Sequence, residues 1–350
     1  MKIPLQNTST PQRTTQSSTY EQQARSSAEL YISLAYYAFL VISSVTGNGL
    51  VIGAYASNKW LRTALTHTLI IGLACADSLV GAVSLPIWMY ITFRDHKHIP
   101  LSPLAYQFYI TADIFIGSAS IFQLMGISIE RSHAVLRPLQ HRLLGRRIFY
   151  IAVAAAWICS AALASLQPLQ YGTDWQVVYT ILIATVCFFI PTVVIAIAYC
   201  SIFFSAKGKA SLSKHQTHKK TLAKEVSLSL TVAMITLLFV ITWLPLFALS
   251  ILATFNPEVL PWPSTSTRLL HFVKCMHYSS SAINPVLYSY RNVELRRTIG
   301  VLLQRLVLRR GPGVDEVFRS RRSSSVVSAS HFRKLSSVSD RCRKPSAESQ

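Results

Sequence analysis

The sequence predicts an all-α membrane protein, a bundle of seven transmembrane helices followed by a short amphipathic eighth helix. Of its 350 residues, 51% are hydrophobic and only 14% are charged, which is more apolar than soluble domains usually are. Seven apolar runs are each long enough to cross a bilayer core of about 30 Å. Basic residues concentrate between alternate runs, as they do in cytoplasmic loops.

The positive charge follows membrane topology and does not indicate a nucleic-acid-binding surface. Of the 34 Lys and Arg residues, 27 lie in the segments 58–64, 131–147, 207–224 and 291–350. Because these segments alternate with the apolar runs, we expect them in the cytoplasm, with the N-terminus outside the cell. The same charge would attract anionic membrane lipid, and we expect no nucleic-acid partner.

The seven predicted spans set the domain organisation. In chain order they are 29–57, 65–94, 103–136, 147–168, 176–206, 221–255 and 266–290. The corresponding segments are an extracellular disordered tail (1–28), the seven-span domain (29–291), an amphipathic helix on the inner membrane surface (292–308) and a disordered cytoplasmic tail (309–350). Asn7 begins an Asn-Thr-Ser sequon, which predicts glycosylation of the extracellular tail.

The third span carries a charge near each end. Asp113 and Arg131 are eighteen residues apart, which is about 27 Å along a helix, close to the thickness of a bilayer core. Eighteen residues are also five whole turns, so both charges and the intervening Ser120 lie on one face. Ionisable groups at this depth are costly unless they face a protein interior or a cavity, which indicates a functional role.

Each span carries a polar, aromatic or proline feature that a simple membrane anchor would not need. In order these are Gly47-Asn48; Leu73-Ala74-Cys75-Ala76-Asp77; Ser120 with Ile129-Glu130-Arg131; Trp157; Pro191 with Tyr199; Phe239 with Thr242-Trp243-Leu244-Pro245; and Asn284-Pro285-Val286-Leu287-Tyr288. The ordered set resembles the rhodopsin-like (class A) G-protein-coupled receptors over about 29–304. The resemblance implies a plasma-membrane receptor that responds to an extracellular ligand and activates a heterotrimeric G protein. Serines after basic pairs in the tail would be targets of receptor kinases and would recruit arrestin.

Asp77 at mid-membrane needs polar neighbours, because an uncompensated carboxylate there is costly. By the resemblance, its neighbours form a cage for an allosteric sodium ion: Asn48, Ser120, Ser280, Ser281 and Asn284. A protonated, hydrogen-bonded Asp77 is the alternative. We expect no other cofactor or metal.

The resemblance also assigns the moving parts. A packing switch under the ligand pocket comprises Pro191, Phe239, Trp243 and Pro245, and Tyr199 and Tyr288 stabilise the active state. Proline in a span removes a backbone hydrogen bond and produces a kink where helices can pivot. G-protein coupling falls to Glu130 and Arg131, with Glu225 as the acid that latches Arg131 in the closed state. Ser132 replaces the usual tyrosine after that arginine.

The ligand is the least determined feature of the sequence. By resemblance to aminergic receptors, Asp113 and Tyr278 bind a ligand ammonium, and Trp243 and Phe247 line the pocket. However, Lys274 lies one turn from Tyr278 and could neutralise Asp113 internally. A biogenic amine is one hypothesis; a lipid, peptide or nucleoside-like ligand beside an Asp113–Lys274 pair is the other.

Three further classes fit the residues poorly. A seven-span transporter would not need this series of motifs. A retinal-binding opsin would need a lysine where the seventh span has Tyr278. The sequence shows no paired nucleophile and base, zinc spacing or phosphate loop, so we predict that the chain is not an enzyme.

Overall fold

The computed structural model describes residues 27–63, 67–170, 175–212, 216–256, 258 and 263–308. Within these ranges, side chains are described except at 63, 206–232, 235, 263–266, 291, 307 and 308. Every regular element in this part of the chain is helical, which confirms the predicted all-α fold.

We number the long helices α1 to α8. Their bounds are α1 Ser27–Ser57, α2 from His67 to His96, α3 Pro103–Leu136, α4 Arg146–Ser165, α5 from Trp175 to Leu212, α6 Gln216–Phe255, α7 Pro263–Arg291 and α8 Val293–Leu308. A short helix, Pro138–Arg142, follows α3. The predicted spans agree with α1 to α7 to within a few residues at most ends; α6 begins five residues earlier than predicted, and α5 ends six residues later.

Within the described residues, α1 to α5 and the Thr236–Phe255 part of α6 are long and apolar enough to cross a bilayer. The 29-residue α7 is also long enough, but it is more polar. Its polar residues include Lys274, His277 and Ser281, all of which are buried inside the bundle. When the polar side chains of a span point into the protein, they avoid the free-energy cost of contact with lipid.

Prolines mark both the starts and the interiors of these helices. Pro103 and Pro263 stand at the first turns of α3 and α7, where the missing N–H has no intrahelical partner to lose. Pro245 and Pro285 instead lie inside α6 and α7, where each removes one backbone hydrogen bond. A helix interrupted in this way bends more easily at the proline than elsewhere.

α3 is the central helix of the bundle and packs against α2, α4, α5 and α6, while α7 packs against α1 and α6. One apolar cluster surrounds Ile121, Leu124 and Trp243, and a second surrounds Trp88 and Tyr278. Because α3 contributes to both clusters, it connects the two ends of the bundle.

In the described part of the chain, two helices contain a π-helical turn. Val80–Ser84 interrupts α2, and Thr185–Phe189 interrupts α5. In a π turn each backbone hydrogen bond joins residues five apart rather than four. Single π turns inside α-helices are frequently found at functional sites.

α8 lies against the end of the bundle. Asn292 begins it, since its side-chain oxygen accepts the backbone N–H groups of Glu294 and Leu295 at 3.1 Å. Leu295 and Thr298 are buried against the bundle, and Asn58 of the α1–α2 connection donates to the Thr298 hydroxyl at 2.9 Å. The outer side of α8 exposes apolar residues including Leu303 and Leu306. These exposed residues suit a membrane-surface helix.

Candidate functional site

A cavity of about 480 Å³ lies among α3, α5, α6 and α7. Trp243 and Gly117 border it deep in the bundle. Near the α4–α5 connection its wall becomes polar, where Gln170, Gln176 and Thr180 line it. A mostly apolar cavity with a few polar groups has the chemistry expected of a small-molecule site.

Asp113 on α3 and Lys274 on α7 form an ion pair in the wall of this cavity. The Nζ of Lys274 lies 2.7 Å from Oδ2 of Asp113, and the Tyr278 hydroxyl donates to Oδ1 of Asp113 at 3.1 Å. Lys274 and Tyr278 point the same way because they are four residues apart on a helix. The side chains of Lys274 and Asp113 are only 8% and 11% exposed. Each charge therefore depends on the other, since water reaches neither freely.

Three aromatic rings surround the Lys274 ammonium. The ring centres of Trp88, Tyr109 and Tyr278 lie 5.4, 5.2 and 5.5 Å from its Nζ. The two tyrosine hydroxyls are hydrogen-bonded to each other at 2.8 Å. Ring faces attract a cation, so this arrangement, which we call the aromatic cage, stabilises a positive charge beside Asp113.

Trp243, one residue of the predicted packing switch, lines the cavity. Trp243 packs against Phe239 and Phe247, with ring centres 5.2 and 5.9 Å apart, and the His277 ring meets the indole edge-on at 4.0 Å. Pro191 is also buried on α5, and Pro245 follows two residues after Trp243. Any ligand that moves the indole would therefore disturb α6 beside its proline.

The Asp77 carboxylate accepts hydrogen bonds from two other helices. Ser120 and Ser281 donate to its Oδ1 at 3.1 and 2.9 Å, and Asn284 donates to its Oδ2 at 2.7 Å. The Ser44 hydroxyl also donates to the Asp77 backbone carbonyl at 2.7 Å. This cluster joins α2, α3 and α7, because one buried carboxylate satisfies donors on both other helices.

The other two predicted neighbours of Asp77 donate to backbone carbonyls. Asn48 donates to the carbonyls of Ser44 and Ser281 at 2.9 and 3.1 Å, and Ser280 donates to that of His277 at 2.7 Å. Both Ser44 and Ser281 are themselves hydrogen-bonded to Asp77, so Asn48 belongs to the same network.

The donor set around Asp77 fits a small hard cation. Carboxylate and hydroxyl oxygens are suitable ligands, and the side-chain oxygen of Asn48 is buried with no hydrogen-bond partner among the described residues. When bound, a sodium ion would supply positive charge to the carboxylate. Asp77, Ser120 and the side-chain oxygen of Asn48 would be the groups to hold it.

At the far end of α3, Glu130 binds two basic side chains. Arg131 donates from Nε to Oε2 and from an Nη to Oε1, both at 2.6 Å, and Nε2 of His141 lies 2.9 Å from Oε1. His141 belongs to the short helix Pro138–Arg142. Glu130 thus connects α3 to the segment that follows it.

The two predicted switch tyrosines differ in their hydrogen bonding. The Tyr199 hydroxyl is 3.3 Å from the hydroxyl of Ser128. Tyr288 is buried, and its hydroxyl has no hydrogen-bond partner among the described residues. A buried hydroxyl without a partner is costly, so any rearrangement that supplies one would be favoured.

Two predicted residues lie outside what the structure describes. They are Asn7, with the rest of residues 1–26, and the side chain of Glu225. Their assignments stay predictions.

Sequence reasoning missed several residues around the ion pair and the arginine. Tyr109 lies one turn before Asp113, a spacing that could have indicated it, whereas Trp88 and His277 carried no signal that separates them from core residues. His141 lies eleven residues from Glu130, in a connection whose conformation the pattern did not predict.

The chain is similar in sequence to a family of membrane receptors. The family model described as 7 transmembrane receptor (rhodopsin family) matches residues 47–288. The D(5)-like dopamine receptor of Takifugu rubripes is 24% identical over 314 residues, which cover 75% of this chain and 65% of that receptor. The chain thus spans just under two thirds of that relative's length.

Two further relatives are matched over more of their length. The adenosine receptor A2b of Bos taurus is 26% identical over 307 residues, covering 77% of this chain and 88% of that receptor. The histamine H2 receptor of Homo sapiens is 26% identical over 278 residues, covering 74% of this chain and 76% of that receptor. The names of these relatives therefore include amines and a nucleoside.

Proposed function

Because the chain belongs to the rhodopsin family of seven-transmembrane receptors, we propose that it converts the binding of an extracellular small molecule into nucleotide exchange on a heterotrimeric G protein. It is a multi-pass membrane protein and a receptor, not an enzyme. Membership of the family implies coupling to a G protein and an extracellular ligand. The plasma membrane is the location at which this function would operate, with residues 1–28 outside and 309–350 in the cytoplasm.

The observation that carries the proposal is a cavity with a charged wall directly above Trp243. A ligand in this cavity would contact Asp113, Lys274 and the aromatic rings of Trp243 and Phe247. Moving the indole would shift α6 relative to α3, since both helices border the cavity at this depth. Two packed arrangements of α6 are enough to give an inactive and an active state, and a ligand that binds one better shifts the population.

At the other end of the bundle, the shift would act on Glu130 and Arg131. Release of Arg131 from Glu130 would free its guanidinium for the G protein, and Tyr199 and Tyr288 would stabilise the opened state. Glu225 would latch Arg131 in the closed state from α6. Replacement of Glu225 by Ala is accordingly expected to raise basal signalling at equal surface expression.

The first ligand class we propose is a biogenic amine that binds through Asp113. Asp113 lines the cavity, and relatives include proteins named as dopamine and histamine receptors. A charge-assisted hydrogen bond in a dry pocket favours a cationic ligand.

A second class is favoured by the 2.7 Å contact between Lys274 and Asp113. If the pair is permanent, the ligand is a lipid, a peptide or a nucleoside-like molecule that needs no charge from Asp113. The adenosine receptor A2b among the relatives is named for such a molecule.

The experiment is G-protein activation in cells that express the chain, with wild type beside Asp113→Asn and a panel of biogenic amines. An amine response that Asp113→Asn abolishes supports the first class. Lack of any amine response, together with altered basal activity of Asp113→Asn, supports the second. Surface-expressed receptor that never changes nucleotide exchange, with any ligand class or in the Glu225→Ala variant, contradicts the proposed function.

A further inference from the structure

The ion pair between Asp113 and Lys274 is part of the cavity wall, so both charges face the space that a ligand would enter. This inference rests on the proposed function and concerns the chemistry of its ligand. The question is which charged groups can enter the space without leaving one of the two residues unpaired.

A ligand with an ammonium group alone would pair with Asp113 and displace Lys274. The displaced ammonium is only 8% exposed, and the aromatic cage around it supplies ring faces but no second carboxylate among the described residues. A buried charge deprived of its partner is strongly unfavourable. The pair therefore opposes the binding of simple amines, which counts against the first of the two ligand classes considered above.

A ligand with an anionic group alone meets the converse problem. It would pair with Lys274 and leave Asp113 with neutral neighbours only, including the Tyr278 hydroxyl at 3.1 Å. Neutral hydroxyls do not replace an ammonium contact at 2.7 Å. Simple carboxylates are therefore opposed as well.

We propose that the ligand is a compact ampholyte, whose ammonium pairs with Asp113 while its carboxylate or other anionic group pairs with Lys274. Such a molecule exchanges one ion pair for two and leaves neither residue unpaired. Because the two protein charges lie 2.7 Å apart, the ligand charges must also be close together, as they are in an α- or β-amino acid.

The rest of the cavity indicates what the ligand carries besides its charges. Ile110, Ile114, Ile183 and Phe247 line the space next to the pair. These side chains suit an apolar or aromatic substituent. The site therefore fits an apolar amino acid or a close analogue.

The test uses three probes with the same phenyl group: phenethylamine, 3-phenylpropionate and phenylalanine. Their binding is measured on purified receptor in detergent for the wild type, Lys274→Met and Asp113→Asn. We expect the wild type to bind phenylalanine at least about tenfold more tightly than either singly charged probe. Lys274→Met should gain about tenfold in affinity for phenethylamine, and Asp113→Asn should gain as much for 3-phenylpropionate.

The double variant Asp113→Lys with Lys274→Asp keeps two opposite charges and controls for variants that fail to fold. If a single variant does not fold, this reversed pair is expected to keep the preference for phenylalanine over both other probes. Equal affinity of the wild type for all three probes, or failure of a folded single variant to gain its matching probe, overturns the proposal.

Binding to purified receptor needs no G protein, so the inference and the proposed function fail separately. If the charge pattern holds while no ampholyte alters nucleotide exchange in cells, the ligand class stands and the signalling function fails. If nucleotide exchange responds to a ligand but the charge pattern is absent, the receptor function stands and the ampholyte proposal is wrong.

Discussion

A methyl group placed on Gly117 of α3 would lie 2.7 Å from Cη2 of Trp243 on α6. The indole occupies the space that any larger residue at this position would need. α3 and α6 can approach each other beside the cavity because this residue has no side chain.

We predict that Gly117→Ala displaces the Trp243 indole and raises basal nucleotide exchange. Carbon atoms do not normally approach to 2.7 Å, so the packing described here would be destabilised by about 1–3 kcal/mol relative to states in which the indole has moved. Basal G-protein activation and thermal unfolding of the purified receptor measure the two effects. Gly49→Ala is the matched control, because a methyl group there meets no atom within 4 Å. Equal basal activity in both variants would refute the prediction.

A second prediction concerns the stability of the Asp113–Lys274 pair. Lys274→Met and Asp113→Asn should each destabilise the receptor by about 3–5 kcal/mol, because each leaves a buried charge without its ionic partner. The variant that combines Asp113→Asn with Lys274→Met should be more stable than the sum of the two single effects implies, since it contains neither charge. Chemical or thermal unfolding of all four proteins gives the coupling energy. Additive effects would mean that the two residues do not interact in the folded receptor.

A third prediction separates two neighbouring serines on α7. Ser281 donates to Asp77, whereas Ser280 donates to the backbone of its own helix. If the Asp77 cluster holds sodium, exchanging sodium for choline should lower the unfolding temperature of the wild type. Ser281→Ala should reduce that difference, and Asp77→Ala should abolish it. Ser280→Ala, the control, should keep it; a wild type insensitive to the exchange would argue against a sodium site.

A fourth prediction addresses the short helix Pro138–Arg142. His141→Phe removes the 2.9 Å contact between His141 and Glu130 and should raise basal nucleotide exchange by about two- to fivefold, the effect expected of a polar contact of up to about 1 kcal/mol. Gln140→Ala on the same helix is the control, because the described contact of its side chain is with Arg137. Unchanged or lower basal exchange in His141→Phe would show that His141 does not hold the closed state.

The helices could be predicted because their signals are local. Seven apolar runs and prolines at defined positions determine where helices lie, whatever their partners. Spacing along a helix also indicated that Asp113 and Ser120 share a face and that Lys274 could reach Asp113. The first inference needs only the period of the helix, whereas the second also needs the family resemblance, which implies that Tyr278 lies beside Asp113.

The rest depended on contacts between helices. Asn48 and Ser280 have the same residue chemistry as the side chains that donate to the Asp77 carboxylate, but in the packed bundle they donate to backbone carbonyls. Trp88 joins the aromatic cage from α2, and no spacing in the sequence relates it to Lys274. The side chains that contact Asp77 and Lys274 are determined by how the helices pack, which spacing along one helix does not reveal.

The π turns in α2 and α5 affect how this chain is aligned with its relatives. Each turn holds one residue more than an α-helical turn, which in evolutionary terms is a single-residue insertion. Counting outward from Pro191 or Asp77 to a relative without such a turn assigns the wrong homologous position to Ile183 and Trp88. Wherever a relative lacks one of these turns, a gapless alignment compares different walls of the binding site. For such a relative, ligand specificity can be compared along that helix only after a one-residue gap has been placed in it.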